Sequence, residues 1–117
     1  MPPAVLPVVL LEGSTYLRMF RSMDELTSWV EPIDVRAGEY TILDRNGRVI
    51  ALTAESDTSP VLAAATDDVS TDRLEQALRD AVANSPGRWG LIDADVGLEA
   101  LLHAIWRTEY PKRAFPT

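Results

Sequence analysis

The stretch from Tyr40 to Ala54 constrains the fold more than any other. Tyr40-Thr-Ile-Leu-Asp44 and Arg48-Val-Ile-Ala-Leu-Thr-Ala54 are β-type runs, and only Arg45-Asn46-Gly47 separates them. Strands joined so closely pair antiparallel as a hairpin. A two-residue Asn-Gly turn would set Arg45 opposite Arg48, like charge against like. A three-residue loop closed by a glycine bulge instead sets Asp44 opposite Arg48, Ile42 opposite Ile50 and Tyr40 opposite Leu52. The second register is preferred, because charge pairing and burial agree in it.

The rest of the chain extends this pattern. Val8–Glu12 and residues 15–20 read as two more strands around a Gly13-Ser14 turn. Pro7 cannot donate to a ladder, so the first strand begins after it or lies at an edge. Ser22-Met-Asp-Glu25 is a capping box that opens a helix with Met23, Leu26, Trp29 and Val30 on one face. Pro32 ends that helix. Residues 55–60 form a loop, and Val61–Thr66 reads as a fifth strand closed by Asp67 and Asp68. A second helix starts near Ser70, with Val69 stapled against Leu74, and ends at Asn84-Ser85-Pro86-Gly87. Arg88 to Ile92 reads as a short extended segment. Asp93 or Asp95 caps a last helix, in which Leu98, Leu101, Leu102, Ile105 and Trp106 form an apolar stripe. The expected fold is a single α+β domain over 1–117, ordered β-β-α-β-β-β-α-α. Its sheet of about five strands is largely antiparallel, with the helices packed on one face.

Composition narrows the function. With no cysteine, thiolate chemistry, disulfides and Cys-based metal sites are excluded. Eighteen acids against eleven basic residues give a formal charge of −7, which opposes nucleic-acid binding. No apolar run is long enough to span a membrane. The opening MPPAVLPVVLL has no basic region ahead of its apolar residues, so it reads as the approach to a strand, and cytoplasmic residence is the default. No cofactor and no metal are expected.

Individual candidates divide between structural and functional readings. His103 has Glu99 four residues before it and Arg107 four after; this fits a solvated helix face better than an acid–base centre. Asp93-Ala-Asp95-Val-Gly97 lacks the ligands of a calcium loop, and capping accounts for its aspartates. Trp29 and Trp106 fit core positions. Trp89 lies outside any periodic pattern; it either plugs the core from a loop or anchors a partner. From Thr53 to Asp72 there are five acids and no base. They make either a solubilising surface or, if the fifth strand is an edge, an anionic docking surface framed at both ends of that strand.

Tyr16-Leu-x-x-Phe20-x-Ser22-x-x-Glu25-Leu-x-x-Trp29-x-Glu31, followed by Asp34-Val35-x-x-Gly38-Glu39-Tyr40-x-x-x-Asp44-x-x-Gly47-Arg48, resembles small uncharacterised bacterial proteins. Some of these are similar to immunity proteins of contact-dependent or polymorphic toxin systems. The resemblance covers about the first half of the chain and implies small size, acidity and a binding role. The reading that follows is a non-catalytic acidic module that neutralises a basic protein, such as a toxin domain, by occlusion. Its partner-binding residues would be Asp57, Asp67, Asp68, Asp72 and Trp89. A small enzyme or ligand-binding domain using His103 and carboxylates is the alternative, and a homodimer paired through an edge strand is a third possibility.

Overall fold

The computed structural model describes residues 3–13, 16–90 and 92–116. It has strands β1 (Val8–Glu12), β2 (Tyr16–Phe20), β3 (Thr41–Leu43), β4 (Arg48–Thr53) and β5 (Leu62–Val69). The helices are α1 (Met23–Trp29), α2 (Pro32–Arg36), α3 (Thr71–Asn84), α4 (Pro86–Trp89) and α5 (Leu98–Glu109). The strands form one antiparallel sheet in the order β2-β1-β3-β4-β5. The chain is thus α+β with five antiparallel strands, as expected. Among the described residues no helix is long and apolar enough to cross a membrane.

Two details of the expected architecture are corrected. The helices cover both faces of the sheet. Val8, Leu10, Phe20, Ile42 and Ile50 pack with Leu26 of α1 and Val35 of α2. Val9, Leu17, Met19 and Leu43 pack with α3, α4 and α5 on the opposite side. The order is therefore β-β-α-α-β-β-β-α-α-α. The extra helices α2 and α4 both begin on a proline, where the missing N–H costs nothing. Residues 86–89, expected to be partly extended, are thus helical.

β1 begins immediately after Pro7 and lies inside the sheet, not at an edge. Glu12 pairs with Tyr16, so three residues separate β1 from β2 rather than two. Gly13 has the positive φ expected of it, whereas Ser14 lies outside the described residues.

The β3–β4 turn takes the preferred register, with Leu43 paired to Val49. Gly47 forms the bulge with φ +84°, and a Cβ there would sit 2.3 Å from the Ser70 carbonyl oxygen. Only glycine fits that turn against the start of α3. Asp44 is fully buried and accepts from the backbone N–H groups of Val5, Asn46 and Arg48 at 3.0, 2.8 and 3.0 Å. The Arg48 guanidinium goes elsewhere, donating to the Thr66 carbonyl at 2.7 Å.

Helix starts vary in how well they follow local signals. Ser22 Oγ accepts from Glu25 N, and Ser70 Oγ accepts from Arg73 N, as N-caps should. Val69, expected to staple α3, instead pairs with Arg48 at the end of β5 and stays exposed. Neither Asp93 nor Asp95 caps α5, whose N-cap is Gly97. Asp93 Oδ1 accepts from Asp95 N at 2.9 Å, a turn that closes on itself before the helix begins.

Candidate functional site

β5 is an edge strand, the condition on which the acidic docking surface depends. It is also longer than expected. It continues through Asp67 and Asp68 to Val69, so these aspartates lie within the strand and do not close it. The ladder to β4 is irregular between Ile50–Ala65 and Arg48–Val69. Thr66 Oγ1 fills the irregularity, donating to the Val49 carbonyl and accepting from Asp68 N. The other edge, β2, is partly occupied, since the Met19 carbonyl accepts from the Tyr110 hydroxyl at 2.7 Å.

The four candidate aspartates bracket β5 and do not converge. Asp57 lies in the loop before the strand, while Asp67, Asp68 and Asp72 lie at its far end and in the first turn of α3. The strand from Leu62 to Asp67, about 17 Å of extended chain, lies between the two groups. Asp57 is bound to Arg36 at 2.5 Å, and Asp68 pairs with Arg73 at 3.3 Å. Asp67 and Asp72 are exposed and make no ion pair among the described residues. Half of the set is therefore already neutralised by the chain's own arginines.

Trp89 takes the core position among its two readings, whereas Trp29 departs from the core position expected of it. Trp89, proposed above as a partner-binding residue, is 1% exposed in the core beneath α3 and α5. It cannot anchor a partner. α4 drives it inward, and its Nε1 is buried without a hydrogen-bond partner among the described residues. Trp29, expected in the core, is 36% exposed. It lies at the end of α1 among Tyr16 (ring centroids 6.2 Å apart, stacked), Phe20 (5.7 Å) and Tyr40 (6.3 Å). The Arg18 guanidinium lies 5.2 Å from the Trp29 ring. The helical spacing of Trp29 gave its direction but not how far the sheet beneath it extends.

Tyr40 closes this aromatic group with its hydroxyl on Asp34 Oδ2 at 3.3 Å. Burial, followed by the charge and hydrogen bond of Asp34, pushes its pKa up to about 12. The folded protein thus holds this proton more tightly than the unfolded chain, in which tyrosine titrates near pH ~10. Stability from this source is fully present below that pH and is lost as pH rises through the folded value. The expected result is a melting temperature that falls across this alkaline window, with a shallower fall in Tyr40→Phe. Burial also raises the Tyr110 pKa, so a residual slope persists in the variant. Identical profiles for the two proteins by circular dichroism would refute the assignment.

His103 is half exposed and stacked on Phe115, with centroids 3.7 Å apart. Its Nε2 is 3.9 Å from Glu99, the expected contact one helical turn away. Glu99 is already held through both oxygens by Arg45, at 3.2 and 2.8 Å, which keeps its carboxyl below the usual range. A cleft of about 330 Å³ opens where β3 and β4 separate beyond Leu43–Val49. Its lining includes Tyr40, Ile42, Ile50 and Leu52 with the Asp68–Arg73 pair, and His103 is not part of it. Among the described residues no three His, Asp or Glu side chains gather in a metal-binding group.

No family model, curated protein or solved structure matches the chain.

Proposed function

We propose that this chain is a non-catalytic, acidic protein-binding module that occludes a basic protein partner. The observation that carries the reading is the position of β5: an exposed edge strand with carboxylates at both ends, two of them, Asp67 and Asp72, without an ion pair among the described residues. Unpaired carboxylates beside an open edge favour encounter with a basic surface and disfavour anionic nucleic acid or lipid. The first half resembles small bacterial proteins, some of them similar to immunity proteins, which supports a binding role; a toxin domain is the proposed partner and the cytoplasm the proposed place of action. The alternative built on His103 is weakened by its ring stacking and by the commitment of Glu99 to Arg45.

Co-expression with the products of adjacent genes, followed by size-exclusion chromatography, tests the proposal. A complex with a basic product that forms at low salt and weakens at high salt is the expected result. Free monomer in every combination overturns it. A dimer of the chain alone would favour the second reading, self-pairing through the open edge of β5.

A further inference from the structure

We infer that the basic partner has a second contact surface, beside β2 at the sheet edge opposite β5, which is centred on Trp29 and seats an arginine or lysine of the partner over the exposed aromatic rings beside Glu12 and Glu31. The inference rests on the reading above that the partner is a basic protein.

Two large aromatic side chains stacked on each other are exposed here, Tyr16 (37%) and Trp29 (36%). Tryptophan and tyrosine in a solvent-accessible group are the residue types that anchor protein interfaces. The acids around them are placed by the fold. Glu12 is the direct cross-strand partner of Tyr16, Glu31 follows Trp29 by two residues at the start of α2, and Asp34 holds the Tyr40 hydroxyl. None of the three makes an ion pair among the described residues, in contrast to Asp57 and Asp68. The charges of Asp34, Glu12 and Glu31 all help to raise the Tyr40 pKa, and Asp34 touches its hydroxyl.

Two resident cations face the same rings. Arg18 lies 5.2 Å from Trp29 and 5.7 Å from Phe20, and its Nε is buried without a hydrogen-bond partner among the described residues. Arg88 lies 5.9 Å from Tyr16 and is neutralised by Glu109 at 2.6 Å. The ring face therefore already accommodates a guanidinium, while the rim sets three carboxylates, those of Glu12, Glu31 and Asp34, against the single cation Arg18, which makes no ion pair among the described residues. Rings with electron-rich faces and a carboxylate rim attract cations. The same rim repels phosphate and anionic lipid, so the occupant is a protein segment bearing Arg or Lys.

The test uses a short labelled peptide alternating arginine and glycine, and its citrulline counterpart of the same shape without charge. Binding is read by fluorescence anisotropy at low salt. The wild-type chain should bind the arginine peptide and not the citrulline one. Trp29→Ala should weaken binding by about tenfold or more. Glu12→Gln with Glu31→Gln, a surface pair that leaves the aromatic packing in place, should weaken it severalfold even if the Trp29 variant folds poorly. Asp67→Asn with Asp72→Asn should leave it within twofold of wild type. If binding survives the changes at Trp29, Glu12 and Glu31, or falls equally in the Asp67/Asp72 variant, the surface is misplaced while the partner class stands. If the wild-type chain binds neither peptide, this surface fails, while the reading built on β5 stands or falls by the co-expression test.

Discussion

Replacing Asp44 with alanine should lower the melting temperature by about 15 °C or more. The carboxylate is buried and is the acceptor for three backbone N–H groups, those of Val5, Asn46 and Arg48. Hydrogen bonds to a charged acceptor contribute about 1.5–3 kcal/mol each, and bonds sharing one acceptor do not add in full. A loss of about 3–5 kcal/mol follows, a large share of what stabilises a domain of this size. Asp44→Asn separates charge from geometry. Its oxygen can still serve Asn46 and Arg48, but its NH₂ then faces the Val5 N–H, so the loss should be intermediate. Urea unfolding of the three proteins checks the order. An alanine variant within about 1 kcal/mol of wild type would show that water replaces the carboxylate at little cost.

Trp89→Ala should cost about 3–5 kcal/mol, the range for emptying a large aromatic from a packed core. Trp89→Phe should cost less than about 1.5 kcal/mol, because the ring still fills most of the site and a buried N–H without an acceptor is removed. The comparison also tests the side chain's role. An alanine variant of normal stability that no longer binds the partner would restore Trp89 as an anchor and contradict its burial. Unfolding curves, measured beside the binding assay, separate the two outcomes.

How much the sequence disclosed depended on the length over which each signal acts. The β3–β4 register is local to one turn and the residues flanking it and is the one adopted, although the Asp44 and Arg48 side chains do not pair with each other. Asp44 serves backbone N–H groups, and Arg48 reaches Thr66. The Ser22 and Ser70 caps were equally local and equally legible. The two-sided covering of the sheet was misread, yet the signal was present. Val8-Val9-Leu10-Leu11 is a continuous apolar run, which marks a strand buried on both faces. Pro32 and Pro86 read as stops in the sequence, whereas each is also the first residue of a short helix, and one turn is too short to display a period.

The candidate site was harder to read. The edge position of β5 and the aspartates flanking it were legible as a condition and its consequence. Their neutralisation by Arg36 and Arg73 was not, because Arg36 is distant in sequence and Arg73 sits across a helix cap. Glu12 and Glu31 were passed over because nothing in their neighbourhoods marks them. Only the fold sets Glu12 across from Tyr16 and stacks Tyr16 on Trp29, two residues before Glu31.

The β3–β4 turn acts as a clasp for distant parts of the chain. Asp44 and Arg45 hold Val5 through its N–H and its carbonyl, and Arg45 also reaches the carbonyl of Pro116 and the carboxylate of Glu99. The Gly47 carbonyl accepts the N–H of Ser70, where α3 begins. Segments near opposite extremes of the numbering are thus fastened to adjacent residues of one tight bend. Loosening either segment frees a bond on the bend that grips the other, so the two should fray as a single unit.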